Sequence, residues 1–475
     1  MKGITRTLVS RWASLGPRFL PFADAATPDL PLSRLLRLSL FQVSVGMALV
    51  LLVGTLNRVM IVELHVSAGL VAVMVSLPVL YAPFRTLIGY RSDTHKSALG
   101  WRRVPFIWLG SMIQFGGLAI MPFALLVLAG GGNAAAWPAW IGPAGAGVAF
   151  LLVGAGLHTT QTAGLALATD LAPVESQPKV VGLMYVMLLL GTIVSAFVFG
   201  AYLRDFTPLR LVQVIQASAV ITLVLNTIAL WKQETRVPGR LRKHAQQPSF
   251  SEAWSTYIER DGSRRRLWAI GLGTMAFSMQ DVLLEPYGGS VLGMTVGATT
   301  WLTATLALGG LIGFSLASAI LSRGTDPARM AAAGAWVGIP AFGAVIVAAT
   351  MQSIPVFACG VLLIGFGGGV FGHGTLTLTM NRAPKEHTGL ALGAWGAVQA
   401  TAAGAAVALG GVLRDVLGAM AERGAFGQSL ASPSTGYTMV YAVEIALLLA
   451  TIGVMSVLVG GARGTAPASP PVTAD

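Results

Sequence analysis

The chain has 475 residues, of which 54% are hydrophobic and only 11% charged, with a mean hydropathy of +0.72; a soluble domain carries roughly a quarter charged residues. This excludes an ordinary water-soluble protein and makes the membrane span the unit of organisation. A net charge of +12 would suggest nucleic acid in a soluble chain, but here the placement of the basic residues argues against it.

Residues 1–37 lack a long apolar core and a small-residue cleavage site, so they do not read as a cleaved signal peptide. Ile4, Leu8, Trp12 and Leu15 recur at helical spacing with Arg6 and Arg11 between them, which predicts a short interfacial helix. Apolar stretches of about 20 residues then fall at 38–62, 66–90, 104–128, 141–168, 180–203, 210–231, 267–290, 296–322, 330–350, 355–380, 389–412 and 438–461. The longest hydrophilic interval, 232–266, divides them six and six. Within it SFSEAWSTYIERD (249–261) predicts a surface helix with Phe250, Trp254, Tyr257 and Ile258 on one face. The tail 462–475, with Pro467, Pro470 and Pro471, reads as disordered. The expected units are therefore a segment 1–37, a half 38–231, a linker 232–266, a half 267–461 and the tail.

Of the 31 Lys and Arg, 25 lie on the side that holds both termini, four on the opposite side and two, Arg58 and Arg85, inside spans. By the positive-inside rule this predicts cytoplasmic termini. Glycine, at 58 residues, falls mostly inside the apolar runs, which favours close-packed helices over a β-barrel. The single cysteine, Cys359, rules out an intrachain disulfide and a thiolate metal cage.

The halves resemble each other. LALATDLAP (165–173) ends span four and LTLTMNRAP (376–384) ends span ten; Leu203-Arg204-Asp205 closes span five and Leu413-Arg414-Asp415 span eleven; Arg91-Ser92-Asp93 and Arg323-Gly324-Thr325-Asp326 follow spans two and eight. Two six-helix halves of the same topology imply a twofold axis along the membrane normal and a cavity between them. The loop Gly89, Asp93, Gly100, Arg102, Arg103 resembles the signature loop of the major facilitator superfamily. An aspartate and arginines at such helix ends can form a charge latch.

A narrower resemblance rests on SLFQVSVGMALVLLVGTLNRVMIVEL (39–64), FRTLIGYRSDTHKSALGWRRVPFIW (84–108) and MQDVLLEPYGG (279–289). These are similar to the PucC/LhaA family, the bacteriochlorophyll-delivery branch of that superfamily, and SLGPRFLPFADA (14–25) looks more like its LhaA type. The resemblance implies an all-α membrane fold of twelve helices in two pseudo-symmetric halves. It implies an assembly factor for light-harvesting antennae, with bacteriochlorophyll as cofactor. The implied partners are antenna polypeptides, the reaction-centre core complex, pigment-synthesis enzymes and the lipid bilayer.

Ionisable residues inside a span are costly and each invites a functional reading. Asp281 and Glu285, four apart in span seven, stack on one helix face, and the neighbouring Pro286 predicts a kink. Aligning Asn57-Arg58-Val59 with Gln280-Asp281-Val282 sets Arg58 opposite Asp281, which predicts a charge pair between the halves. His158 and His373 lie in the repeat partners, spans four and ten, with GFGGGVFGHG (365–374) leaving room for a flat ring. A neutral imidazole can ligate a macrocycle's metal; glycine-rich helix packing is the plainer alternative. Arg85 and Glu444 are further intramembrane charges. No Walker loop, HExxH or Gly-x-Ser-x-Gly elbow is present, so no enzyme activity is expected. Beside the assembly factor stands a second possibility, a proton-coupled secondary transporter of a small amphipathic solute, with Asp281 or Glu285 taking the proton.

Overall fold

In a computed structural model of the chain the described residues are 25–27, 30–81, 84–85, 88, 91–92, 100–131, 133, 136–173, 176–234, 258–259, 262–382, 388–427, 431–432 and 434–461. The expected interfacial helix over 4–15, Gly89, Asp93, the tail and all of 249–261 except 258 and 259 lie outside them.

Among the described residues twelve helices follow one another. They are α1 Leu32–Glu63, α2 Ala68–Leu80, α3 Val104–Leu128, α4 Ile141–Leu171, α5 Gln177–Tyr202, α6 Pro208–Leu230, α7 Ser263–Ser290, α8 Val296–Leu321, α9 Pro327–Met351, α10 Ile354–Arg382, α11 Thr388–Glu422 and α12 Thr435–Gly461. Eleven stretches are long and apolar enough to cross a membrane, and in α2 the shorter stretch Ala68–Val79 is apolar. Helix starts follow local chemistry. Thr207 accepts from the Arg210 N–H at 3.2 Å with Pro208 opening α6, and Asp326 accepts from the Ala328 N–H at 3.2 Å with Pro327 opening α9.

Two departures from the expected spans are informative. Helix α1 begins six residues before residue 38, because Leu35 and Leu38 are buried against α4 and α5 residues such as Leu167 and Leu183. Arg34 also donates to the Gln233 carbonyl at 2.7 Å, tying this end of α1 to the end of α6. Helix α11 runs to Glu422, beyond the expected end at 412, since nothing in its sequence breaks the helix before the positive-φ Gly424. The Leu-Arg-Asp match at 413–415 therefore sits inside a helix, whereas 203–205 follows the end of α5.

The halves meet along two seams, α2 against α11 and α5 against α8. At the first, Asp415 accepts from the Gly69 N–H at 2.5 Å and so caps the start of α2 from the other half. At the second, the Trp301 indole N–H donates to the Phe197 carbonyl at 3.3 Å. A methyl group added at Gly297 would strike the Gly200 carbonyl, so this seam closes backbone to backbone.

Candidate functional site

The polar centre forms where α1, α7 and α8 meet. Helix α1 is wound as π-helix over Val50–Leu56 and again over Val59–Glu63, a widened turn found often at functional sites. Helix α7 is irregular in the same region, with a tight 3₁₀ turn at Met279–Val282 before the helix resumes at Leu284. Pro286 explains the break. It has no N–H for the carbonyl four residues back, and its ring crowds that position. The freed acceptor is the Val282 carbonyl, and Asn57 Nδ2 of α1 donates to it at 2.9 Å.

Three carboxylates lie at this centre. The Thr303 hydroxyl of α8 donates to Glu285 Oε1, and the Gln280 amide donates to Asp281 Oδ1. Glu285 is buried with Oε2 unpartnered. Glu444 of α12 is fully buried against the Gln280 backbone with no side-chain partner. A methyl group at Gly54 would overlap the Glu285 carboxylate, which is why α1 carries glycine where it crosses α7. Tyr287, from the same motif, is a core residue: its hydroxyl donates to the Val345 carbonyl at 3.0 Å and its ring packs edge-on against Tyr437 and Tyr441.

The expected Arg58–Asp281 pair is not formed. Arg58 is buried, yet it pairs with Glu63 at 2.6 Å and donates to the Met294 carbonyl at 3.3 Å. The reason is the π-helical winding, which brings residues five apart onto one face. Arg58 also lies against Gly289, where a methyl group would sit 3.2 Å from the guanidinium.

His158 and His373 are each half-buried, and in both Nδ1 is buried without a hydrogen-bond partner. His158 faces the backbone of Pro78 in α2, with the Arg85 guanidinium within electrostatic reach. Arg85 donates from Nε to the Thr162 hydroxyl at 3.0 Å. His373 packs on Phe314 with ring centroids 4.3 Å apart. Most of the glycines around it serve helix packing: Gly365 and Gly369 meet the backbone of α8, Gly367 and Gly374 that of α9. Gly372, next to His373 in the chain, has nothing within 4 Å of where a side chain would start.

On the side of the termini, the described part of the signature loop closes on an acid that the sequence pattern did not single out. Arg102 and Arg103 both pair with Asp170 at the end of α4, Arg103 at 3.0 Å, and Arg103 donates to the Ser92 hydroxyl at 2.5 Å. Gly100 turns the chain with φ of 75°. Glu234, just after α6, accepts from the backbone N–H groups of Arg102, Arg103 and Val104 at 2.7 to 3.1 Å, an anionic cap on the start of α3. The repeat offered a signal for Asp170, since its counterpart in the second half is Asn381. A latch of this composition thus belongs to the first half.

Comparison with known proteins places the chain. Solved structures share its fold at low identity: a bacterial homologue of the human lysosomal transporter Spinster, inward-facing and unoccupied, superposes with a TM-score of 0.66 at 15% identity, covering 92% of this chain and 98% of that one. A single-residue mutant of the nucleoside transporter NupG gives 0.65 at 13% identity, covering 90% and 99%. The fold is of the major facilitator type. Protein PucC of Rhodovulum sulfidophilum is 63% identical over 420 residues, 88% of this chain and 92% of the relative. Protein PucC of Cereibacter sphaeroides is 58% identical over 92% and 94% of the two chains. The "Bacteriochlorophyll synthase 44.5 kDa chain" of Rhodobacter capsulatus is 27% identical over 91% and 96%. The family description "PUCC protein" matches residues 55–462; this chain belongs to that family.

Proposed function

We propose that this chain is a membrane-embedded assembly factor of bacterial photosynthesis, which binds or delivers bacteriochlorophyll and helps insert antenna polypeptides into the core complex. Membership of the PUCC family carries the reading, together with a relative named for bacteriochlorophyll synthesis that aligns over almost the whole chain. The basic residues, 25 on the side of the termini against four opposite, support cytoplasmic termini, and the bacterial relatives support the inner membrane as its location. No catalytic step is part of this function. The lean toward the LhaA type rests on residues 14–25, nearly all outside the described residues.

The candidate pigment ligands fit the chemistry asked of them. An imidazole that gives one N–H to a backbone carbonyl keeps its other nitrogen as a lone-pair donor; His158 has the Pro78 backbone for this, and both His158 and His373 keep an unpartnered Nδ1. That atom is buried in each, so ligation requires the ring to turn. Bacteriochlorophyll would supply the magnesium that accepts the lone pair. The transporters that share the fold favour a second reading, a proton-coupled carrier of a small amphipathic solute using Asp281 or Glu285.

Purification in mild detergent, with an absorption spectrum and identification of co-purifying proteins, separates the two. A near-infrared pigment band with antenna subunits is expected. A colourless preparation without antenna subunits would overturn the assembly reading.

A further inference from the structure

The polar centre encloses a cavity of about 40 Å³ walled by Gly54 of α1, Gln280, Asp281 and Glu285 of α7 and Thr303 of α8, with apolar side chains closing the rest. That is room for about two or three water-sized occupants. What the wall offers is set by which hydrogen bonds are already made. The Thr303 hydroxyl is spent on Glu285 Oε1, and the Gln280 amide nitrogen on Asp281 Oδ1 and on the Phe277 carbonyl at 3.1 Å. Two buried atoms remain without partners, Glu285 Oε2 and Gln280 Oε1, in side chains of residues 3% and 1% exposed. Both are oxygen acceptors, and burying such atoms unsatisfied costs about 1–3 kcal/mol each. Arg58 does not line the cavity: its terminal nitrogens bond to Glu63 and the Met294 carbonyl, its Nε is buried without a partner against Gly289, and its charge reaches Glu285 through space without a hydrogen bond.

From this arrangement we infer that the cavity between α1, α7 and α8 is a binding site for a small monovalent cation, Na⁺, held by Glu285 Oε2, Gln280 Oε1 and the Asp281 carboxylate with water completing the shell. Oxygen-only ligation selects a hard cation over a transition metal. Among the described residues no three His, Cys, Asp or Glu side chains converge on a metal site, so the protein oxygens here fall short of the roughly six to eight that a calcium site gathers. The volume admits a small ion with one or two waters. Asp281 is partly exposed while Gln280 and Glu285 are buried, which gives the ion a side of entry. A bound ion would fasten the 3₁₀ turn at Met279–Val282 to the helical segment that resumes at Leu284, both in α7.

The inference stands apart from pigment binding, since either can hold without the other. The test uses the full-length protein purified in detergent, at fixed pH and chloride, with choline replaced by Na⁺ or by K⁺. Unfolding midpoint is followed by tryptophan fluorescence and binding by radioactive ²²Na⁺. Na⁺ should raise the midpoint by a few degrees in a saturable way, with K⁺ weaker and choline inert. Glu285→Gln and Gln280→Met should each weaken ²²Na⁺ binding about tenfold or more, and Gly54→Ala should do so by displacing the carboxylate. Equal responses to the three cations, or undiminished binding in both Glu285→Gln and Gln280→Met, would overturn the site. So would a midpoint that follows pH alone, which would assign these oxygens to protons. Should a variant fail to accumulate, ²²Na⁺ binding to the unsubstituted protein, competed by unlabelled Na⁺ but not by choline, still decides.

Discussion

Arg58 and Glu63, five residues apart in α1, form an ion pair of 2.6 Å across a π-helical turn. Five residues along a regular α-helix point to different faces, whereas the i→i+5 winding brings them together. The pair is asymmetric: the arginine side chain is 5% exposed and the glutamate 37%. The helix thereby carries a buried cation toward water without an anionic partner from the other half, which supplies only the Met294 carbonyl.

This sets the expectation for charge substitutions. Glu63→Gln keeps an acceptor but removes the anion, and should destabilise the protein by about 1–2 kcal/mol, the lower part of the range for hydrogen bonds to charged groups because Glu63 is partly solvated. Arg58→Ala removes both bonds and should cost more, while the double swap Arg58→Asp with Asp281→Arg should restore nothing. Thermal unfolding in detergent reads all three. Recovery by the swap would show that Arg58 answers to Asp281 after all.

The spans were legible because roughly 20-residue apolar runs are a direct consequence of bilayer thickness, and Pro286 announced the break in α7 because its chemistry is local. The partner of Arg58 was not legible, since π-helical winding leaves no mark in the residue pattern and the repeat alignment offered Asp281 instead. Asp170 was visible within LALATDLAP, but its role depends on how α3 and α4 lean together on the side of the termini. Glu234 lies more than 100 residues beyond the three N–H groups it accepts, a relationship only the packed bundle creates.

At the start of α3, three backbone N–H groups converge on Glu234. Glu234→Ala should cost about 1–2 kcal/mol, as expected for losing a helix cap with a charge at the positive end of the dipole. Glu234→Gln keeps an acceptor oxygen and should lose about half of that. Unfolding midpoints at low and high salt separate cap from charge, because only the charge contribution falls with salt. Equal losses in the two variants at both salt concentrations would count against the cap.

Glycine at the α5–α8 seam permits backbone contact between the halves. Gly297→Ala pushes a methyl group into the Gly200 carbonyl and the Arg204 backbone, and should destabilise by about 1–3 kcal/mol through overpacking. Gly116→Ala in α3, where nothing lies within 4 Å, should be neutral or stabilise by up to about 1 kcal/mol through helix propensity. Comparing the two midpoints controls for the propensity effect. A Gly297→Ala protein as stable as the Gly116→Ala protein would mean that the seam yields.

The pigment reading makes its sharpest demand at His373. If that imidazole ligates bacteriochlorophyll, His373→Leu should lower the pigment-to-protein ratio of the purified protein, and His158→Leu with His373→Leu should lower it further, with membrane insertion intact in both. Loss of a ligand alone does not separate ligation from packing, because the His373 ring also rests on Phe314 at 4.3 Å. Gly372 supplies the separation. Nothing lies within 4 Å of its side-chain position, so Gly372→Leu should leave the stability within about 1 kcal/mol of the unsubstituted protein's while adding bulk one residue from the ring, where a ligated macrocycle needs room. Pigment stoichiometry should then fall with stability unchanged. Unaltered stoichiometry in both Gly372→Leu and the double histidine variant would remove these two histidines from the pigment site and leave the family's cargo to be held elsewhere in the bundle.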